Sequence, residues 1–558
     1  MHFIVSLRCI AIATMLCIPA YGETRAQAST IGVTWSIPED EETALAQLLE
    51  MRRVGIGAVR TSVVRHRSLL IAADSLGIRF FQDIDVGFLP ARQLVDSIDY
   101  ARGILHSIIR ESRSFRSARY VGLARLADTS DPEACRYFES LADEVEQSGA
   151  ELTTYYTTLF FRSDRCAHTV DGVLLEMRDV GVSVLDSDAR RSSRDTPAVL
   201  GFASLGTWVN LDPDNLGVLN SRSPEWQARY LEGVLATLSG GAWRRSGGYA
   251  FVHRWQDPIR LDDEFTDIVQ RRYGLLTASG VPRPAFHVLT GFVSGQQTVF
   301  AFERGEPPGT RWMWMTIVGW GALALLGLIY ATSPQMRHMI PRYFLSHGFY
   351  REAVSGGRDS LPGESIALLT CVSVGVGMLL ATLAYEISLE PVFEVTRSWL
   401  DPEGRDFTGA LLDQPWTLTA VLASLYALAL VGWTSTMSII SRAGSGLLPA
   451  QVLMLVVWSQ WPLLLLLLAS PAIAASDPEV RLGASVTVTG VVIVVTLWSF
   501  MRTLVDFFSI SRPSLIWFVI GIALHPVGAV TVGGVILLLM HYPDHVAYVV
   551  HLFNRSWL

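Results

Sequence analysis

Residues 41–86 read EETALAQLLEMRRVGIGAVRTSVVRHRSLLIAADSLGIRFFQDIDV, and the architecture of the first half of the chain follows from them. The segment 41–53 repeats apolar residues at helical spacing (Ala44, Leu48, Met51), which gives a helix one apolar face. Residues 57–63 and 78–86 are short runs rich in β-branched and aromatic side chains, as strands are. The alternation continues on both sides. Strand candidates fall at 31–37, 57–63, 78–86, 119–127, 151–158, 172–177, 198–205 and 248–255, with amphipathic stretches such as 134–146 and 224–238 between them. Strands that alternate with helices build a parallel sheet covered by those helices. Eight such units within 29–300 predict an α/β fold, a (β/α)8 TIM barrel with its functional residues where strands end and the following loops begin.

Beyond this region the chain changes character. Half of the 558 residues are hydrophobic and 17% are charged, and mean hydropathy is +0.33. That is too apolar for a chain soluble throughout. Apolar stretches at 313–331, 365–385, 416–440, 450–475, 483–501 and 514–540 are each long enough to span a bilayer, so 312–540 reads as an all-α transmembrane domain of about six helices, followed by a tail at 541–558. Arg337, Arg342, Arg351 and Arg358 occupy the first connection, and Arg442, Arg502 and Arg512 fall on the same side. The opposite side carries Glu386, Glu390, Glu394, Asp401, Glu403, Asp406 and Asp413. Arginine-bearing connections stay in the cytoplasm, which puts the barrel in an extracytoplasmic, periplasmic or extracellular, compartment. The N-terminus agrees: Arg8 precedes an apolar run at 9–19, and Ala20, Gly22, Ala26 and Ala28 follow, the pattern of a signal peptide over 1–28. Residues 301–311, with Pro307 and Pro308 between glycines, read as a linker. Gln451, Gln460 and His525 lie nearest mid-membrane positions, where hydrogen bonding between helices is their expected role.

A net charge of −8 and the absence of basic runs interleaved with aromatics exclude a nucleic-acid partner. No CxxC motif or His/Cys cluster occurs, so neither a metal nor another cofactor is expected. Cys135 and Cys166 are the barrel's cysteines. They could pair in an oxidising compartment or remain two buried thiols.

Residues 54–62, VGIGAVRTS, resemble the second strand of retaining glycoside hydrolases with (β/α)8 barrels, the family 2 type above all. Residues 76–80, LGIRF, resemble the entry to their third strand, 223–231, SPEWQARYL, the helix after their seventh, and YGL at 273–275 with GVPRPAF at 280–286 their closing segment. The resemblance covers nearly the whole barrel. It implies two glutamates at the ends of strands four and seven, about 5 Å apart, as acid/base and nucleophile. The sequence departs from the family there. YVGLARLADTSD at 120–131 puts Thr129 at the acid/base position, and LGFASLGTW at 200–208 puts Ser204 at that of the nucleophile. Neither can supply a carboxyl group. Glu176 and Asp128 are the candidates for a relocated pair, and Asp131, Asp83 and Asp85 lie nearby in sequence.

What remains looks like a sugar site without its catalysts. The resemblance gives Arg60 the place of the strand-two arginine that supports the nucleophile, and Trp255, in HRWQD at 253–257 with Gln256, the place of the aromatic beneath the sugar. Trp35, Tyr155, Tyr156 and Trp208 also lie near strand ends, where aromatic faces stack on sugar rings; core packing is the competing role for each. The expectation is a membrane-anchored, non-catalytic glycosidase-like barrel that binds or organises a glycan, or a partner that handles one. An active glycosidase or transglycosylase with relocated carboxylates, and a transport or assembly component whose membrane half carries the function, are the alternatives.

Overall fold

Eight parallel strands close into a barrel in a computed structural model of the chain: β1 (Thr30–Thr34), β2 (Ala58–Ser62), β3 (Arg79–Asp83), β4 (Tyr120–Arg125), β5 (Thr153–Thr158), β6 (Gly172–Arg178), β7 (Val199–Gly206) and β8 (Tyr249–Val252). Each pairs with its successor, and β8 returns to β1 with Thr30 opposite Tyr249. The structure describes residues 30–160, 163–185, 199–210, 216–239, 248–258, 272–305, 313–357, 361–389, 402–442, 446–476, 478–511 and 542–557, with scattered positions in 390–401 and 512–541. The expected signal peptide, most of the linker and most of the span at 514–540 lie outside the described residues.

The helices around the barrel are α1 (Glu41–Val54), α2 (Arg67–Leu76), α3 (Ala91–Asp96), α4 (Ile98–Ser112), α5 (Glu133–Ser148), α6 (Pro224–Ser239) and α7 (Pro284–Val293). Helix α1 illustrates how local sequence sets them. Asp40 caps it by accepting from the Thr43 backbone N–H at 2.8 Å. Glu41 and Glu42 lie in its first turn and Arg52 and Arg53 in its last, matching the helix dipole, and Gly55 ends it at φ 98°. Ala44, Leu48 and Met51 are fully buried against the strands.

Alternation along the strands sends every second side chain inward. The lumen is packed with Phe81, Tyr155, Leu174, Tyr249 and Phe251. Phe81 stacks on Tyr120 with centroids 4.1 Å apart and meets Tyr249 and Phe251 edge-on at 4.6 and 4.8 Å. Small residues make room opposite. A Cβ on Gly32 would lie 2.7 Å from the Phe251 ring, and one on Gly201 would overlap the Tyr249 carbonyl.

The chain divides after Glu306 into two units. The second contains α8 (Met313–Thr332), α9 (Pro334–Leu345), α10 (His347–Gly356), α11 (Pro362–Ser388), α12 (Pro402–Asp413), α13 (Pro415–Arg442), α14 (Pro449–Trp458), α15 (Leu466–Ala474), α16 (Pro478–Ser511) and α17 (Pro543–Trp557). Among the described residues, four helices are long and apolar enough to cross a membrane: α8, α11, α13 and α16. The expected span at 450–475 is not one straight helix: Pro449–Trp458 and Trp461–Ala474 meet at 56°. Pro462 sits just past the break, where it has no N–H to donate and its ring excludes a helical carbonyl one turn back. Gln460, at the break, accepts from Tyr426 at 2.6 Å, and Gln451 donates to the Val354 carbonyl.

Two outcomes are expected. Gly201→Ala should lower the barrel's stability by at least about 1–3 kcal/mol, since the new methyl meets backbone rather than a movable side chain; the barrel's unfolding transition measures it. Residues 29–300, exported without the membrane half, should be soluble and monodisperse on size-exclusion chromatography, whereas aggregation cured by adding the second unit would contradict an independent barrel.

Candidate functional site

The inward side chains nearest the C-terminal ends of the strands are polar, unlike the aromatic layer below. Arg60 follows Ala58 on the inner face of β2, and its Nη2 lies 2.6 Å from Asp83 Oδ2 at the end of β3. The Tyr155 hydroxyl donates to the other Asp83 oxygen at 2.6 Å. Arg60 Nη1 reaches across to donate to Ser204 Oγ at 3.3 Å. Arg60, Asp83, Tyr155 and Ser204 are all buried.

Four further strand-end carboxylates each lie beside a cation. Glu176 lies 3.4 Å from Arg178 Nε, and Asp85 accepts from Arg125 at 2.9 Å. Asp179 pairs with Arg222, and Asp257 with Arg283 at 2.5 Å. Burial works against the Arg60 charge, yet Asp83, Tyr155 and Glu176 more than offset it and its pKa is raised. At Arg125 burial prevails over Asp83 and Asp85, and its pKa is lowered. The Tyr155 phenol is pushed well up, first by burial and then by Asp83.

These groups surround a cavity lined by Thr34, Arg60, Phe88, Arg125, Leu126, Thr157, Glu176, Arg178, Ser204 and His253. Its water-sized free space is about 10 Å³, roughly what one water molecule needs. Leu126, just after β4, and Ser204, on β7, have positive φ angles of 49° and 55°. Neither is glycine, so each stores backbone strain, and the register of β4 and β7 shifts beside them. Among the described residues no group of three or more His, Cys, Asp or Glu side chains is arranged to hold a metal.

The structure brings together only part of the expected site. Arg60, Ser204 and Glu176 line the cavity; Asp128 and Thr129 do not. β4 ends at Arg125, two residues short of the expected strand, so Arg125 and Leu126 occupy the cavity wall. Thr129 is buried in hydrogen-bond contact with Thr158 Oγ1 at 3.0 Å, and Asp128 accepts from Ser130 at 2.5 Å. The aromatic platform is also corrected. Trp35 and Trp255 lie just past the ends of β1 and β8 but turn outward into the layer between strands and helices, where they are 1% and 0% exposed. Tyr155 belongs to the lumen, and Tyr156 packs in the outer layer while donating to Asp164. Gln256 accepts from Gln47 at 2.6 Å and donates to the Ala278 carbonyl at 3.0 Å, while Gln47 accepts from Trp35. Trp208 alone of the expected aromatics is partly exposed, with Arg222 4.9 Å over its ring. Cys135 on α5 and Cys166 in the loop after β5 form a disulfide.

Arg125, Arg178 and His253 were not singled out in the sequence. The available signal was parity: Arg178 has the same facing as Leu174 and Glu176 on β6, so a lumen residue two positions earlier announces it.

Neither a protein-family model nor a curated protein matches the chain. Solved structures similar to the barrel include a GH2 beta-galacturonidase from Eisenbergiella tayi bound to galacturonate (15% identity, TM-score 0.41, covering 49% of this chain and 52% of that one). A beta-glucuronidase from an uncultured Clostridium sp. is similar at 12% identity and TM-score 0.40, covering 48% of this chain and 50% of that one. A Ruminococcus gnavus beta-glucuronidase in complex with uronic isofagomine is similar at 14% identity and TM-score 0.37, covering 48% and 51%. The chain spans about half the length of these proteins. The likeness is one of fold alone.

Removing one partner of the Arg60–Asp83 pair leaves the other charged and buried. Arg60→Gln should destabilise the barrel by about 3–5 kcal/mol, and combining it with Asp83→Asn should cost clearly less than the two single changes summed; denaturant titration of all three variants measures the coupling.

Proposed function

We propose that the barrel is a non-catalytic glycosidase-like domain, held outside the cytoplasm by the membrane half, that binds or organises a glycan or a partner that handles one. The observation carrying this reading is the pairing of Arg60 with Ser204, at the position where retaining hydrolysis would need a carboxylate nucleophile. Covalent glycosyl transfer requires one carboxylate free to attack and a second carboxyl group about 5 Å away to deliver a proton. Here Glu176 rests 3.4 Å from Arg178 Nε on its own strand. The cavity's room for about one water leaves no space for a sugar ring at the former reaction centre. Glycan contact therefore belongs to the rim, where Trp208 keeps an accessible edge beside Arg222. The strained conformations at Leu126 and Ser204 fit a backbone shaped for a strand-end site and retained without its chemistry. The Cys135–Cys166 disulfide supports an oxidising compartment.

One observation favours a second reading, in which the membrane half carries the function. The 56° break at Gln460 resembles the discontinuous helices at which transporters bind their substrates. If that reading held, Gln460→Leu would abolish the chain's cellular role while Trp208→Ala spared it.

The purified full chain should not turn over a panel of aryl glycosides, and Glu176→Gln or Asp128→Asn should change nothing. Turnover lost in either variant would identify a relocated catalyst and defeat the non-catalytic reading. Binding on a glycan array that weakens with Trp208→Ala is the expected positive result, since stacking on the ring needs no carboxylate.

A further inference from the structure

Residues 333–351, SPQMRHMIPRYFLSHGFYR, carry Arg337, Arg342 and Arg351 and no carboxylate. They form α9 and the start of α10, which are not among the helices apolar enough to span. One face of this pair packs into the bundle through Met336, Met339, Tyr343 and Tyr350. Both helices lie at one end of the spans: Ser333 donates to Glu364 in the first turn of α11 at 2.8 Å, and Tyr343 and Tyr350 lie against Trp458, whose indole N–H donates to Ser365 in that same turn at 3.2 Å. The remaining surface of the pair leaves Leu345 and Phe349 85% and 67% exposed, and Phe344, edge-on to Trp461, 49%. Large apolar side chains beside arginines at the end of a helical bundle mark a helix that lies in the membrane interface.

The charged centre of this face is organised by one carboxylate. Asp506, near the end of α16, is 2% exposed. It accepts from His347 Nε2 at 2.8 Å and Arg351 Nε at 2.7 Å, and Arg502 Nε lies 3.8 Å away. The side chains of Arg351 and Arg502 remain 34% and 35% exposed. Each turns its Nε toward Asp506, and among the described residues the Nη groups of neither meet a protein acceptor. A single negative charge thus holds two guanidinium forks together at the surface, with positive charge in excess. Such forks match the oxygens of a phosphate two at a time.

We propose that this face seats an anionic phospholipid, with its headgroup phosphate on Arg351 and Arg502 and its acyl chains against Leu345 and Phe349. The apolar side chains choose between phosphate sources. A soluble phosphate satisfies the guanidinium groups and leaves Leu345 and Phe349 in water, whereas a lipid covers both. Arg337 and Arg342, exposed on α9, add to the attraction for a negatively charged leaflet. The inference rests on the membrane reading of the second unit and is independent of what the barrel binds.

The test places the full chain in nanodiscs of phosphatidylglycerol and phosphatidylcholine and identifies the lipid retained after release by native mass spectrometry. Phosphatidylglycerol is expected in excess, and inorganic phosphate should not displace it. Arg351→Gln with Arg502→Gln should reduce the preference by about fivefold per arginine. Since that variant leaves Asp506 buried without its cations and can unfold, Leu345→Glu serves as the second: the position is exposed, so the fold is untouched, and the added charge should lower the preference as well. Equal retention of the two lipids by the unaltered chain, or a preference unmoved by Leu345→Glu, overturns the proposal. Displacement by inorganic phosphate would reassign the arginines to a soluble anion and overturn it too.

Discussion

The ion pair between Arg60 and Asp83 sets the terms for everything above the aromatic layer of the barrel. A closed parallel barrel sends the inner side chains of all eight strands toward one axis, so a charge there has no route to water and must be answered by a neighbour. Pairing of β2 with β3 places Ser62 opposite Asp83 and brings Arg60, one pleat below, within 2.6 Å of that carboxylate. Asp83 also takes the Tyr155 hydroxyl, and a side chain at Gly122 would occupy the same space. Strands β2, β3 and β5 are thereby tied to a single carboxylate, and β4 passes close beside it. With Asp83 on one side, Arg60 has donors left for Ser204 on the far wall.

The same demand for charge neutrality governs the rest of the strand-end layer. Three guanidinium groups, from Arg60, Arg125 and Arg178, enter the strand-end layer, and Asp83, Asp85 and Glu176 answer them. The backbone of this layer has two positive φ angles, at Leu126 just after β4 and at Ser204 on β7. Strain of this kind persists only where the surrounding structure enforces it.

In the second unit the physical problem is inverted, since water is absent from most of the surroundings and backbone groups must be satisfied inside the helices. Side chains reach between helices where polarity remains. Ser459 meets Ser499 and Thr503 at 2.6 and 2.9 Å, Ser470 donates to the Gly375 carbonyl, and Arg481 pairs with Glu386. Asp506 is the exception in kind, because the cations around it outnumber it.

The order and type of elements were legible from one dimension. Apolar spacing of 3.6 or 2 residues is a local property, and all eight strands form where the alternation put them, with ends displaced by no more than about three residues. Spans were legible for the same reason, because crossing a bilayer is a matter of length and composition. The site was legible only in pieces. Arg60 and Ser204 could be placed because each sits within a strand whose parity is fixed by its apolar neighbours. Trp35, Trp255 and Thr129 lie just beyond strand ends, where the chain leaves the pleat and parity no longer says which way a side chain turns. Folding turned the two tryptophans into the helix layer and Thr129 toward Thr158. The arginines and carboxylates around the cavity come from β2, β3, β4 and β6 and their following loops, so their pairing depends on barrel closure, which brings together residues that sequence separation keeps apart.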